Sequence, residues 1–147
     1  DYSKPQFGVK PGVAVEGFGP YDRTLDIDPE FRPDFLQDAR DPFPDPRPED
    51  LIQWGCEVMI QWPAILMDPP YTMEDAAHYN CGAGVFPNPN LLVKNALAAV
   101  RPGGRVGILH YVFPRPPKGT RLVAKVSVNV GYSNRDRCYT VFERSHR

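Results

Sequence analysis

Asp68-Pro69-Pro70-Tyr71 sets a carboxylate, donor-free backbone carbonyls and an aromatic face side by side. Each proline fixes its own φ and lacks an N–H, and Pro69 also pushes Asp68 toward an extended backbone, so the loop is stiff. The apolar run Ala64-Ile65-Leu66-Met67 before it has the length and bounds of a buried strand. The tetrapeptide therefore sits at a strand's carboxyl end, where open α/β sheets bind their ligands. A planar heterocycle with an exocyclic amine suits such a set. Asp68 and the Pro69 carbonyl each accept an N–H, which turns the nitrogen lone pair out of the ring plane, while Tyr71 stacks on the ring. The same residues also read as a proline turn closing a strand, with Asp68 as cap and Tyr71 as packing.

Further carboxylates follow short extended runs. Thr24-Leu25-Asp26-Ile27-Asp28-Pro29 ends in acids and a proline-led turn. That pattern either offers a carboxylate to a ribose diol or makes both acids turn residues. Asp34 to Gln37 is a second short strand, ending at Asp38-Ala39 before a proline-rich turn. Strands placed so would bring Asp26 and Asp38 to one rim of a sheet. Upstream, Gly12 to Gly19 holds a short apolar run and two glycines, Gly17 and Gly19, around Phe18. Only Pro20 to Arg23 separate it from the next strand, too few residues for a helix. The glycines thus form either a shortened ligand loop or a hairpin.

Taken in order, these pieces resemble the amino-methyltransferases that depend on S-adenosylmethionine. The family's Asp-Pro-Pro-Tyr is matched at Asp68, Pro69, Pro70 and Tyr71, and the resemblance runs through residues 24–143. It implies that the tetrapeptide holds adenine N6 against the methyl donor, that Asp26 binds the cofactor ribose, and that Asp38-Ala39 receives the cofactor's adenine amine. Gly17 and Gly19 are similar to a degenerate Phe-x-Gly-x-Gly loop, but the helix that should follow is missing. The fold implied is α/β: a shortened class I methyltransferase (Rossmann-like) domain, mostly parallel, with a C-terminal antiparallel hairpin. Related tetrapeptides also serve RNA methylation, including guanine N2. The protein-glutamine branch begins with Asn and fits less well.

The elements that must position these groups read as follows. Pro48-Glu49-Asp50 starts a helix leading into Leu51-Ile52-Gln53-Trp54, with acids in its first turn. Trp54 and Trp62 read as packing residues. Residues 72–89 read as a long polar loop beyond the tetrapeptide, where Tyr79 and Asn80 are candidates for target contacts. Asn88 to Val100 is a helix capped by Asn88, with Pro89 at its first position and a broad apolar face. Arg101-Pro102-Gly103-Gly104 ends it, and Arg105 to Val112 is a buried strand whose His110 either reaches the site or is a neutral core histidine. Phe113 to Thr120 is a stiff loop carrying Arg115 and Lys118 as phosphate contacts for a nucleic acid. In Leu122 to Val130, Leu122, Ala124, Val126, Val128 and Val130 alternate onto one side, and Arg137 to Glu143 completes a hairpin.

The net charge of −1 conceals a division: residues 1–100 hold 7 Lys/Arg against 16 Asp/Glu, and residues 101–147 hold 10 against 2. A basic C-terminal third is what a nucleic-acid face needs, or it is a solvated surface. Three widely spaced cysteines without a Cys-x-x-Cys pair point to a reduced compartment and to no metal site. No apolar stretch has the length of a membrane span, and Asp1 to Gly12 lacks a signal-peptide core, so the expectation is a cytoplasmic protein without a membrane partner. At 147 residues a single methyltransferase-like domain is expected, with no separate target-recognition domain. A homodimer or a partner subunit would then cover the bare sheet face and supply target recognition. The functional expectation is methylation of an exocyclic base amine, adenine N6 in DNA before RNA. The alternative is an inactive methyltransferase fold that binds without turnover.

Overall fold

The computed structural model describes residues 22–53, 61–78, 86–129 and 136–146. Gly17, Gly19, Tyr79 and Asn80 lie outside the described residues. The elements in order are β1 (Leu25–Asp26), β2 (Phe35–Leu36), α1 (Pro48–Gln53), β3 (Trp62–Met67), α2 (Met73–His78), α3 (Pro89–Ala99), β4 (Val100–His110), β5 (Thr120–Val128) and β6 (Arg137–Arg144). Among them no helix is long and apolar enough to cross a membrane.

α3 starts where its sequence says it should. Asn88 stands in extended conformation and its side chain accepts from Asn90 N–H, while Pro89 fills the first turn, where a missing N–H costs nothing. The buried face of the helix is Leu92, Val93, Ala96 and Leu97. Val93, Ala96 and Leu97 pack with Val100, Val106, Ile108 and Phe142, and Phe43, Trp62, Ile65 and Met67 close the margin of that core. Each large apolar side chain so buried contributes on the order of 2 kcal/mol. β4 begins at Val100, directly after the helix.

The main sheet has the order β3-β4-β6-β5, and β1 and β2 form a separate parallel pair. β3 and β4 are parallel, with Ile65 opposite Val106 and Met67 opposite Ile108. β6 lies between β4 and β5 and runs antiparallel to both. The chain is mixed α/β, and the expectation of a mostly parallel sheet is corrected: each strand laid against the returning β6 pairs with it in the opposite sense. β4 and β5 point the same way, joined by residues 111–119 without a helix.

Three local departures have physical causes. Arg101 to Gly104 do not form a turn before the strand but bulge out of it, since Trp62 pairs with Val100 and Ala64 with Arg105. Gly103 takes φ +76°, and a Cβ on Gly104 would lie 2.7 Å from the Arg101 carbonyl, so the loop-out needs both glycines. The polar stretch after the tetrapeptide contains α2, whose start is capped by Thr72 Oγ1 accepting from Asp75 N–H at 3.1 Å. In β5 the register shifts between Leu122 and Ala124, which puts these two on opposite faces and breaks the expected alternation. The sheet face away from α3 exposes Leu66 at 67% and Val126 at 50%.

The small β1–β2 layer is tied to the rest by polar bonds. Trp62 Nε1 donates to the Pro44 carbonyl at 2.7 Å, and its ring meets Phe35 edge-on at 6.1 Å. Asn95 on α3 donates to the Arg40 carbonyl at 2.7 Å. Arg23 pairs with Asp50 of α1, whose side chain is fully buried and also accepts from Arg47 N–H at 3.1 Å. Removing one partner leaves a buried charge uncompensated. Asp50→Asn is expected to lower stability by about 3 kcal/mol, read from the urea midpoint; a loss below about 0.5 kcal/mol, the level of a surface pair, would contradict this role.

Candidate functional site

The parallel register of β3 on β4 decides what meets at the rim. The ladder ends with Met67 opposite Ile108, so Asp68 and the residues after it leave β3 at the rim where β4 ends in His110. Asp68 is exposed while Pro69, Pro70 and Tyr71 are half-buried. The Tyr71 hydroxyl donates to Asp68 Oδ1. Its ring is enclosed by aromatic and cationic neighbours: His110 edge-on at 5.5 Å, Tyr111 tilted at 4.6 Å, and the Arg137 guanidinium 4.9 Å from the ring centre. Burial, and then the carboxylate beside it, push the Tyr71 phenol well above its usual value. It is a neutral donor across the physiological range.

His110 ends β4 on the face turned to α3 and is only 1% exposed. Its Nδ1 accepts from Val112 N–H at 3.0 Å, which places the ring proton on Nε2. Burial holds its pKa below the usual histidine value, opposed by the nearby Asp68 charge. Phe86 lies 6.2 Å from it, ring to ring.

The second group of acids is on the β1–β2 pair. Leu25 is opposite Phe35 and Asp26 opposite Leu36, so the parallel pair does carry Asp26 and Asp38 at one rim. Asp26 Oδ1 accepts from Asp28 N–H at 2.9 Å, and Asp28 in turn accepts from Glu30 N–H at 2.9 Å, capping the short turn Pro29–Phe31. Asp38 is occupied. Its Oδ1 accepts from Arg40 N–H and Nε, both at 2.9 Å, and its Oδ2 accepts from Nε at 2.8 Å and from a terminal guanidinium nitrogen. This clamp holds the Asp38 carboxyl below its ordinary value. Ala39 is half-buried in the turn between the two.

Arg115 and Lys118 are both exposed but are not neighbours of the tetrapeptide in the same way. Arg115 N–H is held by Asn90 Oδ1 at 2.8 Å, at the start of α3. Lys118 precedes Thr120, which pairs with Arg144, so it lies at the opposite rim of the sheet from Asp68. Sequence reasoning missed Arg40, Tyr111 and Arg137. Arg40 could have been found from its place two residues after Asp38. Arg137 could not, because its approach to Tyr71 depends on β6 entering the sheet beside β4.

No family model matches this sequence, and none of the curated proteins matches it. Among solved structures, the crystal structure of TrmN from Thermus thermophilus is similar at 21% identity with a TM-score of 0.39. The similarity covers 66% of this chain and 32% of that one, so the chain spans about a third of the neighbour's length. A likeness of this size carries no argument.

The Asp38–Arg40 clamp makes a signed prediction. A carboxyl whose folded pKa is lowered adds stability that is full above its unfolded value near 4 and disappears as pH falls through the lower folded value. Arg40→Ala should therefore be less stable than wild type at pH 6, with the gap closing below about pH 4. Urea midpoints measured from pH 6 to pH 3 check it, and a gap independent of pH would contradict it.

Proposed function

We propose that this chain is an S-adenosylmethionine-dependent methyltransferase acting on the exocyclic amine of a nucleobase, adenine N6 in DNA. The observation that carries the reading is the position of Asp68-Pro69-Pro70-Tyr71 at the carboxyl end of a parallel strand. There the Asp68 carboxylate already takes a hydrogen bond from a neutral hydroxyl donor. An incoming amine N–H asks for the same acceptor. With a second N–H on the Pro69 carbonyl, the amine lone pair leaves conjugation with the ring and becomes nucleophilic. As the donor's S–CH3 bond broke and its sulfur left as a neutral thioether, the positive charge would pass to the methylated nitrogen, whose surplus proton would be acidic enough to pass to Asp68 or to water. Tyr71, released from Asp68, offers its ring for stacking. Positioning supplies most of the rate.

The donor set on the β1–β2 pair suits the cofactor in part. Asp26 ends its strand and is engaged through one oxygen only among the described residues, which leaves the other for a ribose hydroxyl. Asp38 is filled by Arg40, so Arg40 must give up an acceptor site before an adenine amine can use it. When bound, S-adenosylmethionine supplies an electrophilic methyl group. The basic C-terminal third, with Arg115 on the α3 side, supports a polyanionic substrate.

A second reading has one observation in its favour. Asp38 and Asp68 are both engaged by side chains of their own chain, as in a fold that binds without turnover. Calorimetry separates the two. Saturable S-adenosylmethionine binding is expected, weakened at least tenfold in Asp26→Ala. Asp68→Ala should keep cofactor affinity and lose roughly 100- to 1000-fold in methyl transfer, as when one preorganised polar group is deleted. A folded wild type that takes up no cofactor at millimolar concentration would overturn the enzymatic reading.

A further inference from the structure

We propose that His110 reads the target base, its Nε2–H donating to the ring nitrogen beside the amine that is methylated. The inference rests on the methyltransferase reading above and adds a specificity residue to it. Three observations carry it. First, His110 ends β4 at the rim where the tetrapeptide leaves β3, and its ring meets Tyr71 of that tetrapeptide edge-on at 5.5 Å. Second, its tautomer is fixed by Val112 N–H on Nδ1, so Nε2 can only donate. Third, Nε2 is buried and has no hydrogen-bond partner among the described residues.

An orphaned buried donor is costly, and a phenyl ring in the same place would not carry it, though it would give up the Nδ1 acceptor of Val112 N–H. A core histidine kept only for packing leaves this unexplained. The ring that meets His110 edge-on is Tyr71, whose hydroxyl is held on Asp68. An amine that takes over Asp68 releases that hydroxyl and frees the Tyr71 ring to move from His110. For His110 to read the base, this movement must open the buried Nε2 to it.

The chemistry of the base edge then selects. Beside its amine, adenine has an acceptor on each flank, N1 and N7, so it satisfies a fixed donor whichever way it enters. Cytosine has one acceptor flank, N3. Guanine has N3 on one flank of its amine and the N1–H donor on the other, and the latter would meet Nε2–H donor to donor. A fixed donor at this place favours adenine.

The test uses the whole chain, S-adenosylmethionine and oligonucleotides whose target adenine is replaced by 1-deazaadenine or 7-deazaadenine. His110→Phe keeps the ring and removes the donor. It also removes the Nδ1 acceptor of Val112 N–H, so a somewhat lower melting temperature is expected; the folded variant should bind the cofactor equally and lose 10- to 100-fold in kcat/KM on adenine. Wild type should lose a similar factor on one of the two deaza bases, and His110→Phe should lose nothing further on it. Equal wild-type rates on all three bases would overturn the role of His110 alone, without any variant. So would a His110→Phe rate on adenine equal to that of wild type. Absence of any methyl transfer to adenine by wild type would overturn both this inference and the reading beneath it.

Discussion

The seating of α3 on β4 and β6 governs the rest of the molecule. Val93, Ala96 and Leu97 meet Val106, Ile108 and Phe142 in one dry contact, and Val100 continues from helix into strand without a loop. Such a junction leaves β4 little freedom to slide, because a shift of one residue would turn Val106 and Ile108 to solvent. β3 then adds to β4 in parallel and takes its register from it. The placing of the tetrapeptide at the rim where β4 ends in His110 is a consequence of this packing. The rim is precise because the core behind it is apolar and tight.

At that rim and on the separate β1–β2 pair, the carboxylates are each engaged by a donor of the chain itself. Asp68 holds the Tyr71 hydroxyl, Asp38 holds Arg40, and Asp26 holds the Asp28 N–H. A carboxylate left bare would be solvated and mobile, whereas each of these is kept in place by a donor of its own chain. On the proposed function, substrate and cofactor donors would exchange with those internal ones, at little cost because one hydrogen bond replaces another. His110 Nε2 differs, for among the described residues it has no hydrogen-bond partner to exchange.

Much of the layout was legible from local signals. Asn88-Pro89 announced α3, Pro48-Glu49-Asp50 announced α1, and the paired short strands before Asp26 and Asp38 were visible in their turns. The tetrapeptide at the end of β3 followed from the apolar run before it. What escaped depends on distant partners. The loop-out at Arg101 to Gly104 exists because β4 must pair with β3 while following α3 directly. The slip in β5 arises from pairing with β6. Arg137 over Tyr71, and the Arg23–Asp50 pair, join segments far apart in the chain, and no local pattern encodes them. The antiparallel hairpin of β5 and β6 was legible, but its place beside β4, which makes the main sheet mixed and not mostly parallel, is no local property.

The central claim is that Asp68 and Pro69 present the amine of adenine for methylation. The most direct measurement incubates the chain with methyl-labelled S-adenosylmethionine and separate DNA and RNA substrates, digests each to nucleosides, and identifies the labelled product by mass spectrometry. The account predicts label in N6-methyldeoxyadenosine from DNA. Label confined to a guanine product or to RNA, or cofactor bound with no nucleoside labelled, would contradict it.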